Sequence, residues 1–496
     1  MQQMLYIILG LPPLFAALAL TKCFSNKVLH WGNRLTALIV AGAFVRMTTI
    51  LAPNAVFTNG IFYLDALSMW LLFIVVSLYL AAALLSKSYL EKEATRGYLD
   101  RATTFIGKYY ALFTTFVWTM FLVLVTQNLG LMWVCIEATT LVSALLVSFK
   151  HTRSALEATW KYIMVCTVGI CLALLGTIIL YYAQLAVLGP VKPLDWVWLK
   201  ENAILLNPNL VKMAFLFMII GYGTKIGLAP MHTWLPDAYS QAPSLISGLL
   251  SGALCACAIY VLLRNMVVII PSVGIAFAAH ILYAFAFLTV AIAVPFAIVQ
   301  RDIKRLLAYS SMENIGIMVI GLAVFTTTSA SAVLLHLFNH AMIKFALFFL
   351  AGTIIQEYQT SNMMRIHGMM GETPYTATFT LLGMFAILGM PPFGIFFSKF
   401  TIIMEVFKSG NYFLGSLFIL LLAGVLMGVV YHFLRMLSCT SKRKALGELL
   451  TFKSMAILCI MLISTIALST GLENFPYLRG LLSSATQIII VGGAAL

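Results

Sequence analysis

Fourteen apolar runs, each long enough to cross the ~30 Å hydrocarbon core of a bilayer, follow one another along this chain. They cover approximately 4–21, 32–52, 64–85, 109–127, 129–149, 156–183, 211–230, 241–263, 274–299, 306–325, 330–354, 375–407, 412–436 and 454–472, and define spans 1 to 14. In hydrocarbon, every backbone N–H and C=O needs a partner inside the protein, which leaves helices or a closed barrel. The runs are continuous rather than alternating, so a barrel is excluded. The expected fold is an all-α polytopic membrane protein of about 14 transmembrane helices. Composition agrees. Hydrophobic residues make up 62% and charged residues 9% of the chain, against roughly 25% charged in a soluble domain. Mean hydropathy is +1.01. A soluble enzyme, a disordered chain and a collagen-like fibre are excluded.

The first run ends in Ala17-Leu18-Ala19, which looks like a signal cleavage site. No basic residue precedes it and the rest of the chain is also membrane, so it is expected to remain as span 1. The apolar tail 480–496 is short and is expected to lie at the interface or pack on neighbouring helices. The longest loop is 184–210, and no soluble domain is expected.

The formal charge of +14 would suggest nucleic acid in a soluble protein. No basic tract alternates with aromatics in a polar segment, so nucleic acid is not expected as a partner. The basic residues orient the helices instead. Setting aside Arg46, Lys161, Lys225, Lys344 and Lys399, which fall within spans, most loop lysines and arginines follow odd-numbered spans. They cluster at Lys87/Lys92/Arg96/Arg101/Lys108 and at Lys442/Arg443/Lys444. The positive-inside rule then places odd loops in the cytoplasm and both termini outside. The eight cysteines, Cys23, Cys135, Cys166, Cys171, Cys255, Cys257, Cys439 and Cys459, lie mostly in apolar runs and form no CxxC. They read as packing residues, with no cofactor or metal ligand expected in this chain.

A charge near the bilayer centre costs about 2.5–3.5 kcal/mol on insertion scales, so several together need a reason. Glu137 in span 5, Lys225 in span 7, His336, His340 and Lys344 in span 11, and Lys399 in span 12 all sit in apolar sequence. Glu137 is expected to be protonated or paired, with a lysine on another span as its best partner. Lys225 lies in Gly221-Tyr-Gly-Thr-Lys-Ile-Gly-Leu-Ala-Pro230, whose glycines and proline predict an interrupted helix. Such breaks are tolerated only where the backbone is buried in protein or faces a hydrated cavity. Two readings stand for a Glu137–Lys225 pair: a switch operated by proton loading, or a static ion pair ordering the bundle. His336, His340 and Lys344 are spaced i, i+4, i+8 and share one helix face. That stripe suits a proton relay, although a single histidine there would more often be a hydrogen-bonded core residue.

Span 12 repeats the pattern of span 7. Gly389-Met-Pro-Pro392-Phe-Gly394 predicts a second break, and Lys399 follows. Two broken helices at matching positions point to paired repeats of the kind found in ion transporters. The expected layout is N-terminal helices 1–3 in 1–108, a first repeat of helices 4–8 in 109–263, a second of helices 9–13 in 274–436, and helix 14 with the tail in 454–496. Weaker site candidates are Lys161, which could snorkel to the cytoplasmic face, His232 after the first break, and Glu313 in span 10. Asp302, Lys304 and Arg305 read as interface anchors, and Asp65 as a dipole partner at the start of span 3. Asp237, after the first break, reads as a cap or a path residue, and Glu405 and Arg46 as buried or near an end.

Four strings carry a family resemblance. Lys225-Ile-Gly-Leu-Ala-Pro-Met-His-Thr-Trp-Leu-Pro-Asp-Ala238 resembles a signature of the antiporter-like subunits of complex I and its relatives. Gln300-Arg-Asp-Ile-Lys-Arg-Leu-Leu-Ala-Tyr-Ser-Ser311, the segment His336 to Ala346, and Gly389 to Lys399 are three more, in the family's order. Within that family, Ser251-Gly-Ala-Leu-Cys-Ala-Cys-Ala258 and Ser310-Ser-Met-Glu-Asn-Ile-Gly316 are most similar to the component F type of hydrogenase-4.

The resemblance implies 14 helices with two inverted five-helix repeats broken at helices 7 and 12. It implies proton-path roles for Glu137, Lys225, Lys344 and Lys399, with His336 and His340 available between them. One departure stands out. Many family members carry His or Lys within span 8, whereas 245–263 contains Ser247, Ser251 and cysteines but no His or Lys. The central wire must then use water, serines or His336/His340, or the subunit conducts poorly. The sequence also ends soon after span 14, so the long lateral helix of some relatives is not expected.

The implied function is that of a proton-translocating, non-catalytic membrane subunit of a respiratory-type complex in a bacterial or archaeal cytoplasmic membrane. An energy-converting nickel–iron hydrogenase or formate hydrogenlyase is the implied assembly. Iron–sulfur clusters and the nickel–iron site would reside in soluble partner subunits. Other antiporter-like and anchor membrane subunits, and lipids, would be the membrane partners. The alternatives are a multi-subunit sodium/proton antiporter, a quinone-reducing complex I relative, or a non-conducting scaffold.

Overall fold

A computed structural model describes residues 1–21, 23–95, 103–438 and 445–491. Arg96, Arg101, Cys439, Lys442, Arg443 and Lys444 lie outside the described residues. The chain is an all-α membrane protein. Among the described residues, 13 helices are long and apolar enough to cross a bilayer. The fourteenth crossing, span 12, is split into Pro374–Leu388 and Gly394–Lys408. Span limits fall within a few residues of those read from hydropathy, except that several helices run longer. Span 6 reaches Arg153–Leu188 and span 11 Thr327–Tyr358. The long loop after span 6 is shorter than expected and contains the helix Trp196–Glu201.

The connections sort into two sets, as alternating crossings require. At one end, Lys150 pairs with Glu93 at 2.9 Å and Lys161 with Asp237 at 3.2 Å. There also Lys304 donates to the Ser240 carbonyl at 3.0 Å and Leu446 N–H to the Glu357 carbonyl at 3.0 Å. All these groups belong to the ends joined by odd loops. At the opposite end, Gln127 N–H donates to the Ile61 carbonyl at 3.0 Å and Trp196 Nε1 to the Arg264 carbonyl at 2.8 Å. These belong to even loops. A two-stranded hairpin, Phe57–Asn59 with Phe62–Leu64, lies at this second end. Its two-residue turn begins at Gly60 with φ +60°, the left-handed geometry that glycine adopts without strain.

Spans 8, 10 and 11 form the core, and span 8 is buried from Ser244 to Pro271. Spans 1, 2, 9, 13 and 14 are largely exposed and form the outer wall. The final helix Pro476–Val491 buries Leu481, Leu482, Ala485 and Ile489 against the bundle.

Spans 6 and 7 approach through small residues, the usual device where apolar burial gives no net drive between helices. A Cβ on Gly221 would sit 2.5 Å from the Ala173 backbone nitrogen and 2.6 Å from the Gly169 carbonyl oxygen. Gly221→Ala is therefore expected to push the two helices apart and destabilise the chain by about 1–3 kcal/mol. Thermal unfolding in micelles, beside a Gly42→Ala control where nothing lies within 4 Å, checks this.

Both expected helix breaks are present. Span 7 is capped by the Asn207 side chain, runs Pro208–Ile226, and stops at Gly227 with φ +99°. The chain resumes as Trp234–Gln241. The backbone groups freed by the break find partners inside the protein, as hydrocarbon demands. Trp234 Nε1 donates to the Thr224 carbonyl at 2.9 Å, and Ala229 N–H to Thr289 Oγ1 at 2.9 Å. Span 12 stops at Gly389, φ +80°, and Met390 N–H closes onto the Phe385 carbonyl at 3.0 Å.

Candidate functional site

The breaks place two lysines on either side of the buried core. Lys225 lies in the last turn before the first break and is 2% exposed; Lys399 lies in the second half of span 12 and is 8% exposed. Around each is a small polar cluster.

In the first cluster, Lys225 Nζ donates to Thr140 Oγ1 at 2.7 Å and to Tyr162 OH at 3.0 Å. Thr140 Oγ1 lies 2.9 Å from Glu137 Oε2. The direct Glu137–Lys225 contact expected from residue type is thus replaced by a threonine-bridged one. Thr140 is three residues after Glu137 on span 5, so helical spacing places both side chains on the face toward span 7. Tyr162 OH is also 2.7 Å from Ser143 Oγ. Glu137 itself is only half-buried and stands at the outer edge of the bundle.

In the second cluster, Lys399 Nζ pairs with Glu313 Oε1 at 2.9 Å, and Glu313 is 2% exposed. Glu313, a weaker candidate from the sequence, is the direct partner of the second lysine. His336 Nδ1 lies 2.9 Å from Ser398 Oγ, and its Nε2 3.1 Å from Asn314 Oδ1. His336 therefore joins spans 10, 11 and 12 beside the ion pair. His340, one turn along, is buried, and its Nε2 has no hydrogen-bond partner.

Lys344 occupies the middle. It is 0% exposed, and its Nζ donates to the Leu307 carbonyl at 2.8 Å. Ser311 Oγ donates to the same carbonyl at 3.0 Å and lies 2.9 Å from Ser251 Oγ. Ser251 sits in a π-helical segment, Leu250–Leu254, inside span 8. Such bulges recur at functional sites, and this one leaves the Leu250 carbonyl accepting from Tyr239 OH at 3.1 Å. The serines that the sequence offers in span 8 thus connect, through Ser311 and Leu307, to Lys344. Hydroxyls, amines and imidazoles at these separations can pass protons between them.

The remaining candidates lie elsewhere. Lys161 is half-exposed on the outer face, paired with Glu157 at 2.6 Å and Asp237 at 3.2 Å, and is not brought to the buried clusters. Asp237 also meets Arg305. His232 lies in the first break, 8% exposed, with Nδ1 unpartnered. Glu405 is held by Thr326 at 2.6 Å and Lys408 at 2.8 Å near the opposite end, and Arg46 is exposed to solvent or lipid with Thr49. Lys304, read as an interface anchor, is 4% exposed and its ammonium is held by the Ser240 and Ala242 carbonyls.

Asp65 does cap span 3, accepting from Ser68 N–H at 2.9 Å. It also receives both guanidinium nitrogens of Arg264, at 2.7 and 2.6 Å, with each residue 1% exposed. Arg264 stacks over Trp196 at 4.3 Å and Tyr260 at 4.8 Å. This buried pair was missed because Arg264 stands just past the apolar run of span 8. Among the described residues, no group of three or more His, Cys, Asp and Glu could hold a metal, and the seven described cysteines are free.

Paired broken helices beside buried polar groups are a pattern that recurs in membrane transporters. The chain belongs to the NADH:quinone oxidoreductase/Mrp antiporter membrane family, whose pattern matches residues 126–427. It is 33% identical over 396 residues to a hydrogenase-4 component F homolog of Methylacidiphilum infernorum (isolate V4), covering 80% of this chain and 82% of that one. It is 30% identical over 416 residues to NADH-quinone oxidoreductase subunit N 2 of Acidobacterium capsulatum, covering 81% of each. Two solved structures share the fold. A chain of the archaeal membrane-bound sulfane sulfur reductase superposes with a TM-score of 0.83 at 23% identity, covering 98% of both chains. A chain of the Mrp complex from Dietzia sp. DQ12-45-1b superposes with a TM-score of 0.83 at 17% identity, covering 99% and 100%. The chain is an antiporter-like membrane subunit of this family, with multiple transmembrane helices.

Proposed function

We propose that this chain translocates protons within an energy-converting, respiratory-type complex, in particular a nickel–iron hydrogenase or formate hydrogenlyase of the hydrogenase-4 kind. The observation that carries the reading is the set of three polar clusters: Glu137–Thr140–Lys225, Ser251–Ser311 with Lys344 on the shared Leu307 carbonyl, and Glu313–Lys399 beside His336. Each lysine sits beside a helix break or a π segment, the kind of irregular backbone found at membrane depth only inside protein or along a hydrated cavity. Redox chemistry takes place in soluble partner subunits carrying iron–sulfur clusters and the nickel–iron site. A charge change there reaches Glu137 at the outer edge of span 5, shifts the proton on Lys225, and moves charge through Lys344 toward Lys399. The layout is two inverted five-helix units, 109–263 and 274–436. The odd loops face the cytoplasm, both termini lie outside, and the membrane is a bacterial or archaeal cytoplasmic membrane. Identity to the hydrogenase-4 component F homolog favours this assembly.

The second reading is a subunit of a sodium/proton antiporter, favoured by the superposition on the Mrp chain. Isolating the complex from its native membrane through a tag on this chain separates the two. Co-purifying iron–sulfur subunits with nickel are expected. A complex of membrane chains alone, free of nickel and iron, would replace the first reading by the second.

A further inference from the structure

A groove of about 550 Å³ runs along the outside of the bundle between spans 1, 4 and 5, away from the buried file. Its walls are Pro13 and Ala17 of span 1, Ala111 and Leu112 of span 4, and Leu145 of span 5, and Trp118 closes its inner end. Its mouth is at the odd-loop end, where Lys108 lies in the second turn of span 4 and His151 follows span 5. Span 1 can close onto the start of span 4 because position 107 is glycine; a Cβ there would collide with the Ala19 carbonyl. The mouth is therefore fixed by backbone contact.

Two features identify what the groove takes. The first is charge. Lys108 and His151 are exposed at the mouth, and neither has a side-chain hydrogen bond or ion pair among the described residues. Three other bases at this end are already taken by carboxylates: Lys150 holds Glu93, Lys161 holds Glu157 and Asp237, and Arg305 holds Asp237. The second is size. Lys108 and Trp118 are ten residues apart on one helix, about 15 Å, which is half of the ~30 Å hydrocarbon core and so one leaflet. An α-helix about 10 Å across running that length would need over ~1,000 Å³, roughly twice what the groove offers. An acyl chain is narrow enough to fit.

We infer that this groove binds an anionic phospholipid, its acyl chain between spans 1, 4 and 5 and its phosphate between Lys108 and His151. Basic mouths between transmembrane helices are a recognised setting for anionic headgroups. Span 5 also carries Glu137 and Thr140, so a lipid seated here would hold the end of the helix that presents them to Lys225.

The test uses the full chain in detergent micelles, offered equal amounts of phosphatidylglycerol and phosphatidylcholine, with retained lipids counted by native mass spectrometry. Preferential retention of phosphatidylglycerol is expected. Lys108→Ala with His151→Ala should weaken it about fivefold or more. Ala17→Phe fills the groove without changing charge, on an exposed position that tolerates it, and should release the lipid. Arg365→Ala, exposed on an odd loop away from the groove, should leave retention unchanged. Equal retention of the two lipids, an equal loss from Arg365→Ala, or full retention by Ala17→Phe would each overturn the assignment.

Discussion

Lys225→Ala and Lys344→Ala are each expected to lower protons moved per redox turnover by about 100-fold or more, the scale of losing one positioned proton-transfer group. The two lysines flank the central serines. Removing Lys225 leaves Thr140 and Tyr162 with no base to pass a proton inward. Removing Lys344 leaves the Leu307 carbonyl and Ser311, which accept and donate hydrogen bonds but store no charge. The loss should not reflect misfolding. An isolated buried charge is unfavourable in a membrane, so a neutral side chain at either position should insert at least as well. Membrane levels of the variants, measured beside vesicle acidification and redox turnover, make that separation.

Arg264→Ala is expected to cost about 3–5 kcal/mol, because it leaves the Asp65 carboxylate buried without its cation. The pair joins the start of span 3 to the outer part of span 8 and is packed against Trp196 and Tyr260. Replacing both partners, Asp65→Leu with Arg264→Met, removes the unpaired charge and should recover much of the loss. Thermal denaturation in micelles reads both variants. Transport per folded molecule should be unchanged in the double variant, since neither residue touches the buried file.

The contrast between these two sites shows what a linear sequence carries. Depth in the membrane is written directly in hydropathy, so all the spans and both breaks were legible from apolar runs and from Gly227, Pro230, Gly389 and Pro392. Ionisable residues inside those runs, Glu137, Lys225, Lys344 and Lys399, were legible for the same reason. Facing is not written there, because nearly uniform apolar sequence gives no amphipathic stripe. Lys161 therefore stood open between a path residue and a snorkelling one, and it lies on the outer face with Glu157. Lys304 sat at a run edge and read as an interface anchor, and Arg264, just past the run of span 8, drew no reading; both are buried. Thr140 as the bridge between Glu137 and Lys225, and the π segment that carries Ser251, depend on helix pairing and local winding that no residue type announces. The hairpin at Phe57–Leu64 had an Asn59-Gly60 signal, and was obscured by its position in a short loop between spans.

The account rests on continuity between Lys225 and Lys344. A density map of the assembled complex, sharp enough to resolve individual waters, tests this most directly. Ordered waters running from Lys225 past Ser251 and Ser311 to Lys344 are the predicted result. Close-packed apolar side chains filling that interval, with the two amines sealed in separate pockets, would contradict it.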